Sequence, residues 1–146
     1  VSKFRQVTDT FWASPQIDLS DVAEAQARGF ALVVNNRPEG EAEDQVPGPE
    51  IEAAARAAGL DYLAIPVTHS GFSEAQVSAM AEALEAARGP VLAYCRSGTR
   101  STLLWSLAQA QRGRAPDEIA ADAARAGYDV GPIRPLLETL ASRSGA

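Results

Sequence analysis

Apolar and polar positions fall into short blocks along this chain, and their lengths predict strands separated by helices. Phe4 to Val7 and Thr10 to Ala13 form a weak opening strand or hairpin that ends at Ser14-Pro15. Asp18 or Ser20 caps a helix running to about Arg28, and Gly29 supplies its left-handed stop. Phe30-Ala31-Leu32-Val33-Val34-Asn35 is apolar almost without a break, the mark of a strand buried on both faces. A polar loop follows from Asn36 to Pro47, and its acidic run from Glu39 to Asp44 reads as solvated. Pro49 then opens a helix through Ala58, with Gly59 as the stop.

The pattern recurs. Tyr62 to Val67 is a strand, Ser73 caps an alanine-rich helix from Glu74 to Ala87, and Val91 to Tyr94 is the next strand. Thr99 to about Gln111 is expected to be an amphipathic helix, with Leu103, Leu104, Leu107 and Ala108 on its apolar stripe. Two further helices, roughly Pro116 to Ala126 and Pro132 to Ser142, close the chain, and Ser142 onward reads as a frayed tail. Alternation of this kind implies an α/β fold, a three-layer sandwich around a central, mainly parallel sheet. No internal repeat or low-complexity linker divides it, so residues 1–146 read as one domain.

Composition narrows the function classes. Net charge is −6, which argues against a broad nucleic-acid surface and requires that any anionic ligand be held by a local cationic cluster. No apolar run approaches the roughly 20 residues of a membrane span. No signal-peptide core follows the first residues, and a single cysteine fits a reducing compartment, so a cytoplasmic enzyme is expected. One cysteine and one histidine do not make the usual structural zinc set, and no cofactor is called for. Lys3 is the only lysine, which leaves no plausible Schiff-base residue, and Trp12 and Trp105 read as packing.

The chemistry concentrates in Cys95-Arg96-Ser97-Gly98-Thr99-Arg100-Ser101, between a buried strand and a helix. In parallel sheets the ligand crevice lies at the carboxyl ends of the strands, where this loop falls. A turn containing Gly98 can direct backbone N–H groups into one concavity, and the helix N-terminus adds partial positive charge. Arg96 and Arg100 add whole charges. The first anion such a loop stabilises is the thiolate of Cys95, and a free cysteine is only a few per cent thiolate at neutral pH. Cys95 is therefore the expected nucleophile, with Arg96, Ser97, Gly98, Thr99, Arg100 and Ser101 forming the cradle. Arg37, at the end of the Val33–Asn36 segment, is either a rim cation for substrate or a solvated arginine neutralised by Glu39 and Glu41.

Cys-Arg-Ser-Gly-Thr-Arg-Ser resembles the active loop of single-domain rhodanese sulfurtransferases. The wider context, Val33-Val34-Asn35-Asn36-Arg37-Pro38, Ile65-Pro66-Val67 and Gly89 to Ser101, resembles the bacterial beta-lactamase hydrolase-like domain, a phosphatase-like or sulfur-transferase family. That resemblance covers approximately Phe4 to Arg112 and implies a protein tyrosine phosphatase-like fold. In some proteins of the family the domain is fused to a metal-dependent persulfide dioxygenase, and no such segment lies within these 146 residues.

Two departures from the phosphatase pattern favour sulfur. The phosphatase signature is Cys-x-x-x-x-x-Arg, whereas Arg100 arrives one residue early and Ser101 holds the arginine position. A shorter loop is expected to suit a terminal sulfur better than a phosphoryl group. The phosphatases also place a general-acid aspartate shortly after the Ile-x-Val strand, where this chain has Thr68-His69-Ser70-Gly71. A missing general acid costs about 10²–10⁴-fold in ester hydrolysis, while expulsion of sulfite from thiosulfate needs less help. His69 is either a replacement acid or a loop histidine bonded to a carbonyl.

The leading expectation is a sulfurtransferase. Cys95 would take the outer sulfur of thiosulfate or a persulfide, with Arg96 guiding the donor and Arg100 holding the resulting persulfide. A thiol acceptor such as glutathione would then remove the sulfur. The alternatives are a cysteine-dependent phosphatase forming a Cys95 thiophosphate and a module that binds an anion without turning it over.

Overall fold

The computed structural model describes residues 2–144. Five strands, β1 (Arg5–Gln6), β2 (Phe11–Ser14), β3 (Leu32–Asn35), β4 (Asp61–Ala64) and β5 (Val91–Tyr94), lie in the order β1-β2-β5-β3-β4. The short edge strand β1 runs antiparallel to β2 because the Val7–Thr10 turn folds the chain straight back, with Val7 N–H on the Phe11 carbonyl at 3.0 Å. The other pairs are parallel, so β2, β5, β3 and β4 all end at one edge.

The helices are α1 (Leu19–Ala27), α2 (Gly48–Ala57), α3 (Glu74–Ala86), α4 (Thr99–Gln111), α5 (Pro116–Arg125) and α6 (Arg134–Ser144). Asp18 and Ser73 cap α1 and α3 through reciprocal capping boxes with Asp21 and Gln76. One face of the sheet packs under α1 and α2 around Ile17, Val22, Val33, Ile51 and Leu92. The other carries α3 to α6 around Val34, Met80, Ala93, Leu104 and Leu107. These layers make the α/β sandwich that the alternation predicts.

Four expectations need correction. The Tyr62–Val67 strand is regular only to Ala64; Pro66 has no N–H, although Ile65 and Val67 still donate to the Asn35 and Asn36 carbonyls at 2.9 Å each. Helix α4 is not a surface amphipathic helix but is buried almost all round, including Ser101, Thr102 and Ser106. Hydroxyl groups are tolerated there because Thr102 and Ser106 donate to the Gly98 and Thr102 carbonyls, four residues earlier. The last helix starts at Arg134 after a 3₁₀ turn at Gly131–Ile133. It continues through Ser144, where a frayed tail was expected from Ser142 onward; Gly145 and Ala146 lie outside the described residues. Both tryptophans pack as expected, Trp105 stacked on Phe11 at 5.4 Å and Trp12 edge-on to Phe30 at 5.1 Å. Among the described residues no helix is long and apolar enough to cross a membrane.

Candidate active site

Parallel pairing brings the ends of β2, β5 and β3 side by side, and Cys95 leaves the middle one. Its N–H donates to the Ser14 carbonyl at 3.3 Å, while Asn36 N–H donates to the Tyr94 carbonyl at 2.8 Å. The chain then turns at Gly98, whose φ of +91° belongs to the left-handed region where a side chain is strained. A Cβ there would also collide with the hydroxyl of Tyr128. This turn directs Gly98 N–H at Cys95 Sγ, 3.1 Å away, and starts α4 at Thr99.

The remaining donors of the loop decide what it can hold. Thr99 N–H is taken by Ser97 Oγ at 3.3 Å, and the first helical backbone bond is Thr102 N–H to the Gly98 carbonyl. Among the described residues no protein group accepts from the N–H of Arg96, Ser97, Arg100 or Ser101. Arg100 and Ser101 belong to the first turn of α4, where N–H groups point out of the helix end toward an anion.

Arg100 is held from the far side. Its Nη1 donates to Glu41 Oε2 at 2.8 Å and to the Val67 carbonyl at 2.7 Å, and its Nη2 donates to Glu41 Oε1 at 2.8 Å. A guanidinium has five N–H groups. The two left over, Nε–H and the second on Nη2, lie along one edge of the plane, a ready fork for two oxygens of a bound anion. Hydrogen bonds donated to Glu41 raise the pKa of Arg100 against its burial, and the nearby Cys95 adds to the rise. Thus Arg100 faces the thiol even though it arrives one residue early.

Glu41 is the residue that sequence reasoning missed. It accepts from Arg37 Nε at 2.9 Å as well as from Arg100, and hydrogen bonding by Arg100 first, then Arg37, overcomes desolvation to hold its carboxyl down at about 2. Of the acidic segment, Glu39, Glu43 and Asp44 are exposed as expected, but Glu41 is not. Glu41 is folded onto the site, and Glu39 accepts from Gly48 N–H at 2.8 Å, capping α2 in place of a side chain at Pro47. Arg37 is neutralised by Glu41, as one of its two expected roles had it, but it is not solvated. It is 5% exposed and also donates to Gln16 Oε1 at 3.0 Å. The Arg37–Glu41 pair was legible from its four-residue spacing. The third partner, 59 residues later in the chain, was not.

Other expected site residues sit as follows. Arg96 and Thr99 are exposed at the mouth, and the Ser97 hydroxyl bonds Thr99 Oγ1 at 2.9 Å. The Ser101 side chain does not line the cradle: it is buried and donates to Asn36 Oδ1 at 2.7 Å, tying α4 to the end of β3. His69 lies exposed in the β4–α3 loop, two residues past Val67, and no hydrogen bond joins it to Cys95 or Arg100 among the described residues. Cys95 has no exposed surface.

The family model of the beta-lactamase hydrolase-like protein, phosphatase-like domain, matches residues 3–112. The chain belongs to this family. A beta-lactamase hydrolase-like protein of Xylella fastidiosa is 35% identical over 131 residues, covering 88% of this chain but 30% of that protein. One from Agrobacterium fabrum is 38% identical over 96 residues, 66% of this chain and 22% of that one. The chain thus spans less than a third of the curated relatives it matches.

Among solved structures, a candidate phosphatase of Neisseria meningitidis superposes with a TM-score of 0.83 at 30% identity, covering 96% of this chain and 99% of that one. P. aeruginosa TpbA, bound to pTyr in a cysteine-to-serine form, superposes with a TM-score of 0.67 at 17% identity, over 98% and 90% of the two chains. Tk-PTP in its active form gives 0.73 at 18%, over 97% of each chain. The fold is that of the protein tyrosine phosphatases, as the resemblance implied, and the domain is phosphatase-like. Nothing in these comparisons supports the rhodanese-like function suggested by the loop spacing.

Proposed function

We propose that this domain is a cysteine-dependent phosphatase that passes through a thiophosphate on Cys95. The observation that carries this reading is the donor count. Beyond the Gly98 N–H on Sγ, four backbone N–H groups have no protein acceptor among the described residues, and the edge of Arg100 turned away from Glu41 carries two more N–H groups beside Cys95. A transferred phosphoryl group presents three equatorial oxygens, each able to accept two such bonds, whereas a persulfide presents one terminal sulfur.

In the first step Cys95 Sγ attacks phosphorus, the S–P bond forms and the ester P–O bond breaks, the electron pair leaving with the oxygen. Water then cleaves S–P, releasing phosphate and the thiolate. The loop donors and Arg100 bind the oxygens as charge shifts among them, which is electrostatic stabilisation in place. Glu41, ionised above pH of about 2, has no proton to give a leaving group at neutral pH. No aspartate occupies the segment from Thr68 to Gly71. The pTyr held by TpbA makes aryl phosphates the first probes to use.

Hydrolysis of aryl phosphates is expected to rise steeply as the leaving phenol becomes more acidic, because protonation is weakly assisted. Vanadate is expected to inhibit it competitively. A flat dependence on the phenol would show an efficient acid in the site.

The Cys-x-x-x-x-Arg spacing still favours sulfur transfer as the second reading. In that case no aryl phosphate turns over, vanadate has no effect, and sulfur from thiosulfate reaches glutathione.

A further inference from the structure

We propose that Tyr128, in the α5–α6 connection, is a positioning residue for the nucleophile, acting through the single peptide unit between Ser97 and Gly98. The Tyr128 hydroxyl donates to the Ser97 carbonyl at 3.1 Å, and the N–H of that same peptide, on Gly98, donates to Cys95 Sγ at 3.1 Å. A trans peptide places its C=O and N–H on opposite sides. Fixing the carbonyl outward therefore aims the N–H inward, and a hydrogen bond on the oxygen strengthens the donor on the nitrogen. Without that anchor the Ser97–Gly98 peptide can rotate and bring its carbonyl, rather than its N–H, toward the sulfur.

Three further features support this role. Gly98 has no room for a Cβ because the Tyr128 hydroxyl occupies it, so turn and tyrosine are fitted to each other. Arg5 lies 5.8 Å over the Tyr128 ring, a cation–π contact that helps hold the phenol in place. Burial raises the phenol's pKa, Arg5 opposing and Cys95 adding, so it stays a neutral donor at any working pH. Tyr128 is also outside the matched family segment, residues 3–112, so the motif alone does not reveal it.

The inference rests on Cys95 being the nucleophile, and its test separates the two. Tyr128→Phe keeps the ring, its packing on Gly98 and the Arg5 contact. It is expected to lower kcat by roughly 3- to 10-fold, the scale of one lost hydrogen bond, with KM within about 2-fold. The acid limb of the pH profile of kcat/KM is expected to move up by roughly half a pH unit. The ultraviolet absorbance of the thiolate, measured against Cys95→Ser, needs no substrate and is expected to show the same upward move. If wild-type protein hydrolyses no phosphate ester, the phosphatase reading fails while the absorbance titration still decides the role of Tyr128. Unchanged kcat and an unchanged titration, with or without a lower Tm, would overturn the proposal and leave Tyr128 as packing only.

Discussion

Arg100→Lys is expected to lower kcat/KM for an aryl phosphate by about 10³-fold, with most of the loss in kcat. Lysine keeps the charge but not the geometry. Arg100 uses three N–H groups to lock onto Glu41 and Val67 while offering a second edge to the ligand. An ammonium has three donors on one atom and cannot satisfy the carboxylate and a phosphoryl group with the same two-sided fork. Removing a donor to a developing oxyanion costs about 10²–10³-fold, and the upper end applies because the whole fork is lost. Steady-state kinetics with a good leaving group measures the effect directly. A loss under tenfold would mean that the free edge of Arg100 does not meet the transition state.

Glu41→Ala is expected to destabilise the fold by about 3 kcal/mol, because it removes one partner of a largely buried ion-pair network. Arg37, 5% exposed, would lose the one carboxylate that pairs with it among the described residues, and Arg100 would lose both oxygens of its carboxylate partner. At this chain length that corresponds to a fall in Tm of roughly 6–12 °C. The pH dependence has a definite sign. Folding lowers the Glu41 pKa from 4.5 to about 2, so its contribution is fully present above about pH 4.5 and is lost as the pH falls toward 2. Urea unfolding of wild type and Glu41→Ala should therefore converge between pH 5 and pH 2. A gap of constant size across that range would mean that the carboxylate charge is not what stabilises the site.

How much of this was legible in sequence depends on how local each feature is. Cys95 to Ser101 supplies the cysteine, turn and helix N-terminus in seven consecutive residues, so strand, loop and helix periodicities sufficed to place it. The capped helices after Asp18 and Ser73 and the apolar runs of β3 and β5 were equally local. Glu41 and Tyr128 were not, because they reach the loop across 59 and 31 residues of chain and bring no local pattern with them. A run of acidic residues usually does mean solvent; here two buried guanidiniums outweigh that tendency. The burial of α4 was hidden by Ser101, Thr102 and Ser106, whose hydroxyls are satisfied by Asn36 or by carbonyls four residues earlier. The loss of one residue between Cys95 and Arg100 suggested a narrower cradle, but spacing alone did not show that Arg100 would be held in the first turn of the helix by Glu41 and the Val67 carbonyl.

Both chemistries begin at Cys95, so inactivation by Cys95→Ser cannot separate them, but the group left on the sulfur can. Rapid quenching of the enzyme during turnover of an aryl phosphate, followed by mass analysis of the peptide containing Cys95, is the most direct test. The account predicts a phosphoryl increment on that peptide, absent from Cys95→Ser and discharged by water. A one-sulfur increment after thiosulfate, removed by glutathione, with no phosphoryl adduct under any condition, would contradict it.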